Sequence, residues 1–430
     1  MKKVLLVVAI VLIAGGYGFW RLVRRGPVVA PPEETGAAFQ VETYGGGFVY
    51  RYADGQTPLR ALRWLPPSPS GHQVIQVVSQ SDRQRVVIFK GETKIMDALV
   101  TRPSVIREGF FNFAELKEAL LFPDAVVLLY AASNRISGQG MDEPSLVMAL
   151  ELDSGSLRWF HRAPGLHLAA SPGPKEQAVF LYGPSQPIQR LPLERRPGEA
   201  LGSAPARSTA RTIEVPEEVR SLSILLPTGA FSFLAAHGAG LSSYSPTAGW
   251  KHWPLPEKDE LTFSDAKPML VSAKGYWWQP FPGKLLKVKN DGEPGEGNLL
   301  PEPPEPWVQD RPLLQLKGVD ASGRWWFAPT MPQRPSPVAT PEAPKSEAES
   351  AANGPDWNAY LAQGLDRLYR WTPDRRGMQL FQPTQVWTAL PLPNGLNRSA
   401  AFPDFVPENG AILVESGAKA WRVDLDRVFP

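Results

Sequence analysis

The chain has 430 residues, 43% hydrophobic and 20% charged, which allows a large buried core and excludes a disordered polymer. A net charge of +2, with acids beside the basic clusters Arg195-Arg196 and Arg375-Arg376, argues against a nucleic-acid surface and for solvated faces. No cysteine is present, which excludes disulfides, thiol catalysis and cysteine-based metal or iron–sulfur sites.

Proline occupies 46 positions, about 11% against a usual ~5%. Prolines so dispersed interrupt long helices and favour short strands joined by turns. Fourteen tryptophans and 10% aromatic residues suit pleated, packed surfaces and predict an all-β chain.

At the amino terminus Lys2 and Lys3 precede an uncharged run from Val4 to Trp20, followed by Arg21, Arg24 and Arg25. Seventeen residues of helix span about 25 Å, and Leu22 and Val23 with snorkelling arginines extend this toward the ~30 Å hydrocarbon core. Residues 1–25 are therefore expected to form a single membrane anchor. The alternative is a signal peptide cut near Val28-Val29-Ala30, leaving a secreted periplasmic protein. Basic residues flank both ends of the run: the short Lys2-Lys3 tail argues for a cytoplasmic amino terminus with the bulk of the chain in the periplasm of a bacterial inner-membrane protein, the expected arrangement, and Arg21, Arg24 and Arg25 argue for the opposite one. Residues 26–47, with Pro31-Pro32 and Gly45-Gly46-Gly47, read as a flexible linker.

From Phe48 to the end, residues 48–430, short apolar runs alternate with turn residues. Strands are expected at Phe48 to Tyr52, Gln73 to Val78, Arg85 to Phe89, Ala125 to Ala131, Gln177 to Tyr182, Ala230 to Ala235, Pro268 to Trp278, Lys284 to Lys289, Arg324 to Ala328, Ala411 to Val414 and Ala420 to Leu425. Phe113, Leu116 and Leu120 follow a capping-box spacing at Asn112 and predict a short helical insert near 112–122. Residues 329–356, rich in Pro, Ala, Ser and Glu, read as a disordered insert.

One stretch recurs. Ala149-Leu-Glu-Leu-Asp-Ser-Gly-Ser-Leu-Arg-Trp159 is an alternating strand, a glycine turn, and a strand carrying an aromatic four residues on. Weaker copies are Ser243-Tyr-Ser-Pro-Thr-Ala-Gly-Trp-Lys-His-Trp253 and Trp371-Thr-Pro-Asp-Arg-Arg-Gly-Met-Gln-Leu-Phe381. Gly155 and Gly249 are 94 residues apart, two units of 47; Gly249 and Gly377 are 128 apart, or about two units of 49 once an insert of roughly 30 is removed. With further turns at Gly91, Gly198 and Gly292 and a last strand near Asp426, the spacing counts out seven units of four strands. The first unit has a strand too many and the last a strand too few. A seven-bladed β-propeller that borrows its amino-terminal strand to complete its last blade accounts for both, and removes an open edge.

The first copy resembles the Ala-Leu-Asp-x-x-Thr-Gly-x-x-x-Trp repeat of quinoprotein-type (PQQ-like, WD40-like) β-propellers, a group that includes the periplasmic propeller of the outer-membrane-barrel assembly machinery. The resemblance implies the propeller fold and transfers no function. The vicinal cysteines used by quinoprotein dehydrogenases are absent, so no cofactor is expected.

No catalytic, cofactor or metal residues are assigned. The five histidines (His72, His161, His167, His237 and His252) have no local metal-ligand spacing, and His161 and His252 lie beside motif tryptophans, as strand packing requires. Gly238-Ala-Gly240 leads into Pro246, which cannot open a nucleotide-binding helix. Asp424 and Asp426 share one face of a terminal strand and read as solvated. Trp277-Trp278 and Trp325-Trp326 point to opposite faces of their strands and cannot form one sugar platform, so core packing is expected. The expected function is a membrane-anchored periplasmic scaffold that binds protein partners on a propeller face, with the loops Arg135 to Pro144 and Pro329 to Pro355 as contacts. The alternatives are a propeller enzyme (hydrolase, lyase or oxidoreductase) or a cell-wall carbohydrate-binding module.

Overall fold

A computed structural model describes residues 29–30, 38–44, 47–53, 61–65, 72–78, 83–101, 104–107, 110–132, 144–171, 177–194, 210–256, 268–300, 313–320, 322–330, 368–372, 378–381, 405–406, 411–416 and 419–424. These residues are all-β apart from one turn of 3-10 helix, Glu217–Val219. Every strand pairing among them is antiparallel, and the strands form seven sheets that follow one another along the chain.

The first sheet runs Ala61–Trp64, His72–Val78, Arg83–Lys90 and Thr93–Thr101, each strand beside its predecessor. The second contains Ser104–Arg107, Phe110–Leu121, Ala125–Ala132, Pro144–Glu151 and Leu157–Pro164. The third is His167–Ala170, Ala178–Tyr182, Ile188–Pro192 and Arg211–Ile213. The fourth is Leu222–Pro227, Phe233–His237, Gly240–Ser245 and Gly249–Pro254. Met269–Ser272, Tyr276–Phe281 and Lys284–Val288 make the fifth, which an isolated bridge from Val288 to Pro294 extends. The sixth is Leu313–Val319, Trp325–Thr330, Leu368–Trp371 and Met378–Phe381.

The last sheet joins the two ends of the chain. Phe405–Val406, Ala411–Ser416 and Lys419–Asp424 are followed in space by Gly47–Ala53 and then Ala38–Tyr44. Gly47 to Arg51 pair in register with Val423 to Lys419. The strand expected at Phe48 to Tyr52 thus lies beside the strand expected at Ala420 to Leu425, and neither leaves an open edge on that side.

Apolar clusters lie between consecutive sheets. Val86, Ile88 and Ala98 of the first sheet pack on Leu128, Met148 and Leu150 of the second. Val127, Leu129 and Trp159 of the second pack on Val179, Leu181 and Leu191 of the third. Strand Ala125–Ala132 therefore buries both faces, alternate residues going to opposite clusters, which is why it reads as an unbroken apolar run. Phe180 and Phe233 join the third and fourth sheets, Leu234 and Trp278 the fourth and fifth, Trp277 and Trp325 the fifth and sixth. Antiparallel sheets of three to five strands among the described residues, stacked face to face in chain order, fit the layout of propeller blades.

Four sequence expectations are corrected. The helix near 112–122 is the strand Phe110–Leu121. Leu129 pairs with Glu118 while Tyr130 pairs with Leu116, so Lys117 is bulged out of the ladder. The bulge shifts the alternation by one residue, putting Leu116 and Ala119 in the same cluster and mimicking helical i, i+3 spacing. The 26–47 linker contains paired strands, because Ala38–Tyr44 lies along Gly47–Ala53 and Val29 and Ala30 pair with Val100 and Leu99. The single run Pro268 to Trp278 is two strands reversing at Lys274 and Gly275, both with positive φ. Pro329 and Thr330, assigned to the disordered insert, end the strand Trp325–Thr330; residues 331–356 lie outside the described residues, as do the proposed anchor at 1–25, Gly198, Gly377, Asp426 and the loop at 135–143. Among the described residues, no helix is long and apolar enough to cross a membrane.

Candidate functional site

The repeated motif is structural at each place it is described. In the first copy Ala149 and Trp159 are partners across the last hairpin of the second sheet, and Gly155 turns that hairpin with φ +65°. Trp159 is buried, and its Nε1 donates to the Leu193 carbonyl at 3.3 Å in the next sheet. In the second copy Gly249 (φ +68°) turns the last hairpin of the fourth sheet, and Ser243 Oγ donates to the Asp291 carbonyl of the fifth at 3.1 Å. Leu368–Trp371 and Met378–Phe381 of the third copy are again the last pair of their sheet.

The tryptophan pairs behave as the two-residue period requires. Trp277 and Trp325 meet edge to face with ring centroids 5.0 Å apart, between the fifth and sixth sheets. Trp278 points the other way, into the cluster shared with the fourth sheet. Trp326 is fully buried and donates its Nε1 to Asp320 Oδ2 at 2.9 Å. Asp320 also accepts from the Ser322 and Arg324 main-chain N–H groups and from Arg324 Nε, so its buried charge is well compensated.

Other polar side chains also bridge sheets. Glu118 accepts from the Leu168 main-chain N–H at 2.7 Å and faces His167 Nδ1 at 2.6 Å, joining the second sheet to the third. Tyr182 packs against His167, and burial, followed by the negative charge of Glu118, pushes its phenol well above the ordinary range. Arg190 Nε of the third sheet donates to the Ala230 carbonyl of the fourth at 2.6 Å and stacks over Phe231. The buried Gln279 donates to the Leu314 carbonyl and accepts from Leu316 N, joining the fifth and sixth sheets. Arg158 is held by Glu151 and Asp124, which raise its pKa further above neutrality. Asp424, one of the two terminal carboxylates singled out in the sequence, is paired with Arg422 Nε at 2.7 Å.

Two histidines that look unrelated in sequence meet in the fourth sheet. Ser242 Oγ lies 2.9 Å from His237 Nε2 and 3.2 Å from His252 Nδ1, and the two imidazoles stack 5.2 Å apart. Hairpin register makes this contact, since His237 pairs with Gly240 and Ser242 with His252. Reading register through the Gly238-Ala239 and Pro246-Thr-Ala248 turns could have found it. His237 is buried, its Nδ1 has no partner, and burial followed by His252 lowers its pKa to about 4. Gly238-Ala-Gly240 is a hairpin turn followed by a strand, not by a phosphate-binding helix.

A cavity of about 260 Å³ opens beside the turn Gly183–Pro187, lined by Ser185, Gln186, Pro187, Glu214, Val215 and Arg220. Ser185 has φ +58°, held there as its N–H donates to the Arg220 carbonyl at 2.6 Å. No group of three or more His, Asp or Glu side chains is placed to hold a metal among the described residues.

No family model and no curated protein matches this chain. Among solved structures it is similar to BamB from Moraxella catarrhalis, with 12% identity over 70% of this chain and 97% of that one and a TM-score of 0.30. It is also similar to the WD40 domain of SCAP from fission yeast, with 7% identity over 94% of this chain and 96% of that one and a TM-score of 0.39. The fold assignment rests on the strand pairing and the inter-sheet cores themselves.

Proposed function

We propose that this chain is a seven-bladed β-propeller, tethered to a bacterial inner membrane by residues 1–25 with its bulk in the periplasm, that serves as a non-catalytic scaffold for protein partners. The blade count is supported by the seven sheets among the described residues and by the pairing of Gly47–Arg51 with Lys419–Val423, which joins the two ends of the chain. The tether is supported by the apolar run Val4 to Trp20 between Lys3 and Arg21.

One observation carries the scaffold function. Polar side chains that reach between sheets (Glu118, Trp159, Arg190, Ser243 and Gln279) are engaged with the main chain of the neighbouring sheet. They strengthen the frame, and the loop-rich ends of the sheets remain as surfaces for recognition. The test is cross-linking mass spectrometry on the full chain in native membranes, followed by purification in mild detergent. A partner protein that copurifies at fixed stoichiometry and cross-links to loop residues is the expected result. Cross-links confined to lipid or glycan, with no stoichiometric protein, would overturn the proposal.

A further inference from the structure

The segment between the proposed anchor and the first blade is paired to the frame at a defined place. Val29 and Ala30 lie antiparallel against Val100 and Leu99, on the outer edge of the first sheet. Thr93–Thr101 begins at the Gly91 hairpin turn, where Lys90 pairs with Thr93, and ends where Thr101 pairs with Arg83. The incoming chain therefore meets the sheet at the end remote from that turn. Three residues lie between Arg25 and Val29, so the four Cα steps reach at most about 14 Å of extended chain.

We infer that the Thr101 end of the first sheet is the surface held against the lipid headgroups, with the hairpin-turn end carrying Gly91 directed away from the bilayer. The inference rests on the membrane-tether reading above, and it adds an orientation that a free linker would not impose. Thr93–Thr101 is nine residues long, so its two ends are separated by about 27–30 Å. That length is about twice the tether, and only the Thr101 end lies within its reach. Arg21, Arg24 and Arg25 would sit at the headgroup level, where their long side chains snorkel to the interface. The motif turns then point toward the aqueous space, where a partner can approach them.

The absence of cysteine makes the test clean. Thr101→Cys, Glu92→Cys and Thr247→Cys are made in the full chain, labelled with a fluorophore and reconstituted into phosphatidylethanolamine–phosphatidylglycerol vesicles. Glu92 and Thr247 are exposed in hairpin turns of the first and fourth sheets. A headgroup-attached spin label quenches only those fluorophores that come close to the headgroup layer. The expected result is flotation of all three proteins with the vesicles and at least threefold stronger quenching at position 101 than at 92 or 247. Flotation with equal quenching, or stronger quenching at 92, overturns the orientation and leaves the tether standing. Failure to float overturns the tether and the orientation with it. Leu99→Cys, partly exposed and paired with Ala30, replaces Thr101→Cys if that variant unfolds early, and the same ordering is required of it.

Discussion

Tyr50 donates its phenolic hydrogen to the Gly91 carbonyl at 2.8 Å. Tyr50 belongs to the amino-terminal strand that completes the last sheet, and Gly91 turns the Arg83–Lys90 and Thr93–Thr101 hairpin of the first. The Tyr50 ring is buried with its centroid 5.0 Å from that of Phe89. One side chain therefore contributes an apolar contact and a hydrogen bond across the seam where the chain ends meet.

Tyr50→Phe keeps the ring and removes that hydrogen bond. The loss is expected to be about 1 kcal/mol, since the Gly91 carbonyl sits at a turn that water can reach. Urea unfolding of the parent and the variant measures it. No change in midpoint would mean that the seam is not held by this contact.

Gly155→Ala and Gly249→Ala separate backbone strain from packing. Both glycines have positive φ, so each variant pays about 1–2 kcal/mol of conformational strain. A Cβ at Gly155 would also lie 3.3 Å from the Asp97 carbonyl and the Ala98 Cβ of the first sheet, whereas at Gly249 it meets nothing within 4 Å. The Gly155 variant is expected to be the less stable in thermal unfolding. The reverse order would show that the second sheet does not pack against the first as described.

The fourth sheet should carry a pH signature. His237 has a folded pKa of about 4, below the ordinary 6.5, through burial and then the neighbouring His252. The unfolded chain binds this proton more readily, so the contribution is complete above pH 6.5 and is lost as pH falls toward 4. Below 4 this group adds no further loss. In His237→Gln the urea midpoint is expected to fall less steeply between pH 6.5 and 4 than in the parent. Equal slopes would contradict a buried, neutral His237.

Asp320→Ala removes the acceptor of four hydrogen bonds, leaving the Trp326 indole N–H and the Arg324 guanidinium without that carboxylate. A cost of about 3 kcal/mol is expected from breaking a buried charged contact. Asp320→Asn, which keeps the shape and two acceptor lone pairs, is expected to cost less. Differential scanning calorimetry of the two variants checks the order.

Much of the frame was legible because turn glycines and apolar alternation report local geometry. Gly91, Gly155 and Gly249 all turn the hairpins assigned to them, and Trp277 and Trp278 face opposite cores as the strand period demands. Strand Phe110–Leu121 was misread because Phe113, Leu116 and Leu120 fit helical spacing, although Leu116 and Leu120 face opposite clusters across the bulge at Lys117. Ala38–Tyr44 was hidden between glycines and prolines, although its partner strand Gly47–Ala53 begins only three positions later in the sequence. The His237–Ser242–His252 contact depends on the register of two successive hairpins and becomes legible only once the Gly238-Ala239 and Pro246-Thr-Ala248 turns are placed. Ser185 gave no signal because its left-handed backbone follows from the Arg220 carbonyl it meets, a contact set by the tertiary fold.

In the proposed propeller the strands near the two ends of the chain close the ring. Arg51 and Lys419 are partners across the joining strands, and directly opposed residues lie within the range that a disulfide spans. Arg51→Cys/Lys419→Cys, in a chain with no other cysteine, is oxidised in the folded state and scored by non-reducing electrophoresis and mass spectrometry. Lys90→Cys/Thr93→Cys, partners across the Gly91 turn, is the positive control. Closure predicts an intramolecular bond between positions 51 and 419 that forms in the folded protein and not in urea. A pair that stays reduced while the control oxidises would contradict closure of the ring by its own termini.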